Sequence, residues 1–266
     1  MRLLLILFSI PFVALSQIEK GYIEYNYQVP AEKVIIKNAI LEFSNNKSLF
    51  IYNRTDLLKN DNSGIKSEGT NVKASFSISD DYGTQVYRDF TNKIIINRFA
   101  RINKLFNPFK VEDNWIAINW GIKDEYKQIG KFKAQKAIGV YRGRTYTAWF
   151  TEEIPLPYGP WKLFGLPGLI LEAEDSEKMF KVEFKSIKYP CKCDFIIKKP
   201  TTEESKTLKE YVEFRDNYND YVFKKMKSKL PRNIANKMRQ IPKKGHKRKY
   251  RGEKVYEWET EEKKDK

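Results

Sequence analysis

The chain has 266 residues, with 50 lysines and arginines against 34 aspartates and glutamates and a net charge of +16. That length allows one sizeable core with an appendage, and two cysteines are too few to staple it, so burial of the 17 phenylalanines and 16 tyrosines must hold the fold. A single histidine, His246, leaves no His-based Ser or Cys triad and no helical HExxH zinc site in the folded part, while the charge suits polyanionic partners.

At the amino terminus Arg2 precedes the apolar run "LLLILFSIPFVAL", after which "SQIEKGY" turns polar. This is the layout of a secretory signal peptide, with Ala14 and Ser16 at the −3 and −1 positions and cleavage before Gln17. The run is short for a membrane span, and no second run in the mature chain could cross a bilayer. Residues 1–16 are therefore expected as signal peptide and the mature protein as periplasmic or secreted. Export weighs against nucleic acid and toward anionic envelope lipid or lipopolysaccharide as the polyanion.

Residues 17–200 read as an antiparallel β domain. "YIEYNYQV" puts Ile23, Tyr25 and Tyr27 on one face and Tyr22, Glu24 and Asn26 on the other, as a strand with one wet side does. Hairpin turns are expected at Ser44–Lys47, where Asn tolerates left-handed backbone, at Thr91–Lys93, at Arg142–Gly143 and at Asp175–Lys178. Successive hairpins without helical crossovers imply a mainly β fold: a meandering, curved antiparallel sheet, half-barrel-like, with a C-terminal helix. The polar stretch 53–71 reads as a mobile loop.

Over residues 201–240 the period changes. Thr201 with Glu204 suggests a capping box, and Leu208, Tyr211, Val212, Tyr218, Val222 and Met226 recur at helical spacing until Pro231. This predicts an amphipathic helix packed on the sheet and a shorter one up to about Arg239. Residues 241–266 are charge-dense with little apolar periodicity and read as a disordered basic tail. Lys243, Lys244, Lys247, Arg248, Lys249 and Arg251 there are the candidate polyanion-binding residues.

The most unusual stretch is "IPLPYGPWKLFGLPGLILE", residues 154–172. Its prolines cannot donate ladder hydrogen bonds, and Pro167-Gly168 at the centre of Leu166–Leu169 fits a type II turn with Gly168 at positive φ. Its apolar side chains, Leu156, Tyr158, Trp161, Leu163 and Phe164, would either plug the core or line a binding lip, with the plug the better-supported use. The candidate binding residues are Trp149, Pro160, Trp161, Gly165, Leu166, Pro167 and Gly168. The string Gly165–Ile170, with "IGKFKAQKA" and "YRGRTYTAWFTEEIP" upstream of it, resembles the GLPGLI family. The resemblance implies an exported protein of Gram-negative bacteria, with a TonB-dependent outer-membrane receptor as a partner and no established activity. Ala134 stands where that family often has cysteine, so no thiol role carries over to it.

Catalytic signatures are sparse. No G-x-S-x-G elbow, Walker loop or dinucleotide fingerprint occurs. Glu152, Glu153, Glu172 and Glu174 could serve a carboxylate-dependent hydrolase, although acids at alternate strand positions fit a solvated face better. Cys191 and Cys193 form a C-x-C that could bond in a turn, hold a thiophilic metal or stay free, and an oxidising compartment favours the bond. No cofactor is called for. Three readings stand: an exported non-enzymatic envelope protein that binds a hydrophobic or envelope-associated ligand or a transport partner, a carboxylate hydrolase, and a polyanion binder.

Overall fold

The computed structural model describes residues 20–29, 34–57, 64–68, 71–75, 78–101, 105–239 and 248–261. The signal-peptide reading lies outside them. The strands are β1 (Lys20–Val29), β2 (Ile35–Ser44), β3 (Lys47–Tyr52), β4 (Gly64–Glu68), β5 (Asn71–Ser75), β6 (Thr84–Asp89), β7 (Ile94–Phe99), β8 (Phe109–Asp113), β9 (Trp120–Ile129), β10 (Phe132–Tyr141), β11 (Arg144–Thr151), β12 (Leu169–Asp175), β13 (Lys181–Lys188) and β14 (Glu204–Lys206). The helices are α1 (Leu208–Asp216), α2 (Tyr218–Ser228), α3 (Arg232–Ala235) and α4 (Glu257–Glu261).

Among the described residues, 12 of these strands form one open curved sheet in the order β14-β8-β7-β6-β3-β2-β1-β13-β12-β11-β10-β9. The mainly β reading is correct, and the turns explain its meander. Asn45 and Asn46 take φ of 49° and 61°, and Arg142 and Gly143 take 43° and 77°, the paired left-handed residues of a two-residue hairpin. Lys93 and Lys178 carry positive φ at the other two expected turns.

Period-2 patterning fixes the faces. In β1, Ile23, Tyr25 and Tyr27 are buried and their neighbours half-exposed. The inner face continues through Phe50 of β3, Val86 and Arg88 of β6 and Ile95 of β7. Part of the other face is covered too: Leu49, Ile51, Tyr87 and Ile96 pack beneath Ile197. Helix α1 lays Leu208, Tyr211, Val212 and Phe214 against Phe109 and Val111 of β8.

Three expectations need correction. The capping box is made by Thr207 and Glu210, because residues 204–206 instead pair in parallel with Phe109–Val111 as β14. The helical run is broken at Asn217, which ends α1 and begins α2. Within the polar stretch 53–71, Gly64–Glu68 is a strand that pairs with Asn71–Ser75 through backbone hydrogen bonds, which apolar patterning does not report. The tail also departs from its reading. Residues 248–261 form an ordered strap across the inner face, because their charges find buried or half-buried partners and Tyr256 enters the core of α1 and β8.

Candidate functional site

The proline-rich loop between β11 and β12 packs into the inner face. Tyr158, Trp161, Leu163, Phe164 and Leu166 are each at most 8% exposed and belong to the main core. The loop closes on itself, Gly165 donating to the Pro157 carbonyl and Leu163 to that of Pro160. Gly168 does not take positive φ. It is there because a Cβ would lie 2.0 Å from the Thr151 carbonyl oxygen, while the left-handed residue is Gly165 at φ 92°. Trp161 also has positive φ, 51°, an uncommon conformation for a bulky side chain.

Two buried cations hold this loop. Arg88, fully buried on β6, donates to Ser48 Oγ at 2.9 Å, to the Leu163 carbonyl at 2.9 Å and to the Gly159 carbonyl. It lies against the rings of Phe90 and Phe164. Burial pushes its guanidinium down to about 9, and nearby tyrosines act in the opposite sense, so it remains charged at neutral pH. Lys162, 3% exposed, bonds Asp113 of β8 at 2.5 Å and Glu253 of the strap at 2.7 Å. Arg142, from the β10–β11 turn, joins the same cluster through Asp113 at 2.7 Å, Glu257 at 2.9 Å and Glu253. Burial alone would raise the Asp113 carboxyl, but Lys162 and Arg142 outweigh it and hold it well below the usual range.

The strap is tied down along its length. Arg144 donates to the Lys249 and Arg251 carbonyls and pairs with Asp175, and the Tyr146 hydroxyl donates to the Gly252 carbonyl at 2.5 Å. Asp216 of α1 accepts from Arg248 at 2.7 Å and from Arg251 at 2.6 Å.

The site residues expected from sequence are thus dispersed. Pro160, Trp161, Leu166 and Gly168 are buried in the loop, which serves as a plug, while Gly165 and Pro167 alone among the loop candidates reach the surface. Trp149 points away from the loop, half-buried beneath Lys127, whose ammonium sits 4.5 Å from its ring and 2.5 Å from Glu172. Glu174 pairs with Lys178, and Glu153 accepts from the Lys133 amide, so the acids considered for hydrolysis bind lysines and backbone separately. Cys191 and Cys193 are joined in a disulfide. Among the described residues no group of His, Cys, Asp and Glu could hold a metal.

Of the polyanion candidates, Lys243, Lys244 and Lys247 lie outside the described residues. Arg248 and Arg251 are committed to Asp216, and Lys249 is exposed. Exposed cations also lie elsewhere: Lys224, Lys225, Lys227, Arg232, Lys237 and Arg239, on α2, α3 and just beyond, make no ion pair among the described residues, and neither do the scattered Lys192, Lys198 and Lys199. The sequence reading passed over Arg88, Asp113, Arg142, Lys162 and Glu253. The available signal was Lys162, a lone charge between Trp161 and Leu163 in an apolar stretch.

A family described as "Protein of unknown function (Porph_ging)" matches residues 139–172, from the end of β10 to β12. No curated protein matches the chain. Among solved structures it is similar to PNGF-II in the P21 and C2 space groups, each at 17% identity and a TM-score of 0.48 over 78% of this chain. The chain spans about a third of those proteins, 34% and 33%.

Proposed function

We propose that this is an exported, non-enzymatic envelope protein that docks on an anionic lipid surface, lipopolysaccharide or acidic phospholipid, through α2 and α3. The observation that carries this reading is the run of exposed cations along α2, α3 and just beyond, Lys224, Lys225, Lys227, Arg232, Lys237 and Arg239, which make no ion pair among the described residues. Val222 is the one buried residue of α2, so this helix rides on the body by a narrow apolar seam and presents its lysines outward. Tyr221 at 39% and Leu230 at 36% exposure add apolar groups that can enter a headgroup layer. A carrier of apolar ligands would need the inner face, where Leu163, Phe164 and Trp161 already sit.

Co-sedimentation with vesicles tests the proposal. Binding to anionic vesicles should exceed binding to neutral ones and fall steeply between about 0.1 M and 1 M salt, as the screening length drops from about 10 Å to about 3 Å. Replacing Lys224, Lys225 and Lys227 together with Gln should weaken it at least several-fold. Equal binding to neutral vesicles, or an unaffected triple variant, would overturn it.

A further inference from the structure

Between the inner face, α1 and the strap lies a cavity of about 90 Å³. Its walls carry an unusual set of donors. Arg215 of α1 lines it, and among the described residues no carboxylate pairs with this guanidinium; its contact is the ring of Tyr211, 5.9 Å away. Tyr27, Tyr52 and Tyr211 also line it, and none of their hydroxyls has a hydrogen-bond partner among the described residues. Tyr27 is only 2% exposed as a residue, and it lines the cavity with no hydrogen-bond partner for its hydroxyl among the described residues, in contrast to Tyr25 and Tyr146, which donate to carbonyls. Hydroxyls that line a cavity and have no protein partner are free to bond what enters it.

The four groups act together. The rings of Tyr27 and Tyr52 are 5.0 Å apart, and Tyr211 is fixed by stacking on Phe99 at 4.5 Å. Burial holds the Tyr27 and Tyr52 phenols well above their ordinary range, so at neutral pH they remain O–H donors. The other charges of the wall are already matched: Lys162 with Glu253, and Arg251 with Asp216. One positive charge ringed by hydroxyl donors repels a metal ion and fits an oxyanion. The size restricts it further, since a cavity of about 150 Å³ accommodates benzene and this one is smaller.

We propose that this cavity binds a small oxyanion, a carboxylate or a phosphate of a few heavy atoms, held by Arg215 and the hydroxyls of Tyr27, Tyr52 and Tyr211. The proposal is independent of docking through α2 and α3, which uses other residues. Thermal-shift and calorimetric titrations of the purified protein with acetate, inorganic phosphate and chloride at matched ionic strength test it. A saturable response to acetate alone assigns a carboxylate, to phosphate alone a phosphate, and to both a general oxyanion site. Arg215→Gln should weaken binding at least tenfold, while its ligand-free melting temperature holds or rises, because a half-buried charge with no carboxylate partner among the described residues is removed. Tyr27→Phe keeps the ring and should weaken binding several-fold. No saturable response to either oxyanion, an equal response to chloride, or binding that survives both substitutions would show that the cavity holds solvent only and overturn the proposal.

Discussion

A Cβ built on Gly168 lies 2.0 Å from the Thr151 carbonyl oxygen, whereas one on Gly165, at φ 92°, meets nothing within 4 Å. Space forbids a side chain at the first position, and backbone conformation disfavours it at the second. Any side chain at Gly168 must displace the end of β11, so Gly168→Ala should destabilise the protein by about 3 kcal/mol or more. Gly168→Asn should be no milder, since tolerance of left-handed backbone is irrelevant there. Gly165→Ala should cost roughly 1 to 2 kcal/mol and Gly165→Asn less, because Asn visits positive φ more readily. Urea unfolding of the four variants checks the order, and an Asn that rescues position 168 but not 165 would refute it.

The proline loop has few ladder bonds of its own, so its position depends on Arg88, which reaches carbonyls 71 and 75 residues away. Arg88→Met would leave the Gly159 and Leu163 carbonyls buried and unbonded and should cost about 3 kcal/mol or more. Arg88→Lys should recover less than half of that, because an ammonium lacks the planar fork that serves both carbonyls and Ser48 at once. Urea midpoints for the two variants measure this, and a Lys variant of wild-type stability would show that charge alone suffices. The strands and their turns were legible in sequence, since alternation at Ile23, Tyr25 and Tyr27 and the Asn45–Asn46 pair express local preferences of the backbone. The plug was legible as a composition, but its anchors were not. Arg88 with Gly159 and Lys162 with Glu253 meet only through the fold, and a charge count over 241–266 cannot show that Arg248 and Arg251 match Asp216. The capping box failed for a related reason: Thr201–Glu204 and Thr207–Glu210 share one spacing, and pairing of Glu204–Lys206 with β8 decides between them.

On the scale of the whole molecule, the strap joins the proline loop and the β10–β11 turn through one buried charge cluster and joins α1 through the half-buried Asp216, which makes its attachment sensitive to pH and to truncation. Asp113 and Asp216 are both desolvated, yet the cations beside them, Lys162 and Arg142 for the first and Arg248 and Arg251 for the second, hold their carboxyls below the ordinary range. A carboxyl depressed in the fold stabilises it above its unfolded value of about 3.9, and that contribution is lost as pH falls through the folded value. Lys162 behaves oppositely: burial would lower it, but Asp113 and Glu253 outweigh burial and raise it, so its contribution is present below about 10.4 and disappears only as pH rises further. The strap should therefore stay docked across neutral pH and loosen below about pH 4, detected as new protease cleavage within 248–261 before global loss of strand circular dichroism. Truncation after Gln240 removes Glu253 and Glu257 and leaves Lys162 and Arg142 sharing Asp113 alone. Breaking a buried ion cluster in this way should cost about 3 to 5 kcal/mol. Glu253→Gln should cost less, since the amide oxygen still accepts from Lys162. A truncated protein that melts with the full chain at neutral pH would show that the strap is a surface appendage, and the acid-sensitive step would then have to lie in the sheet itself.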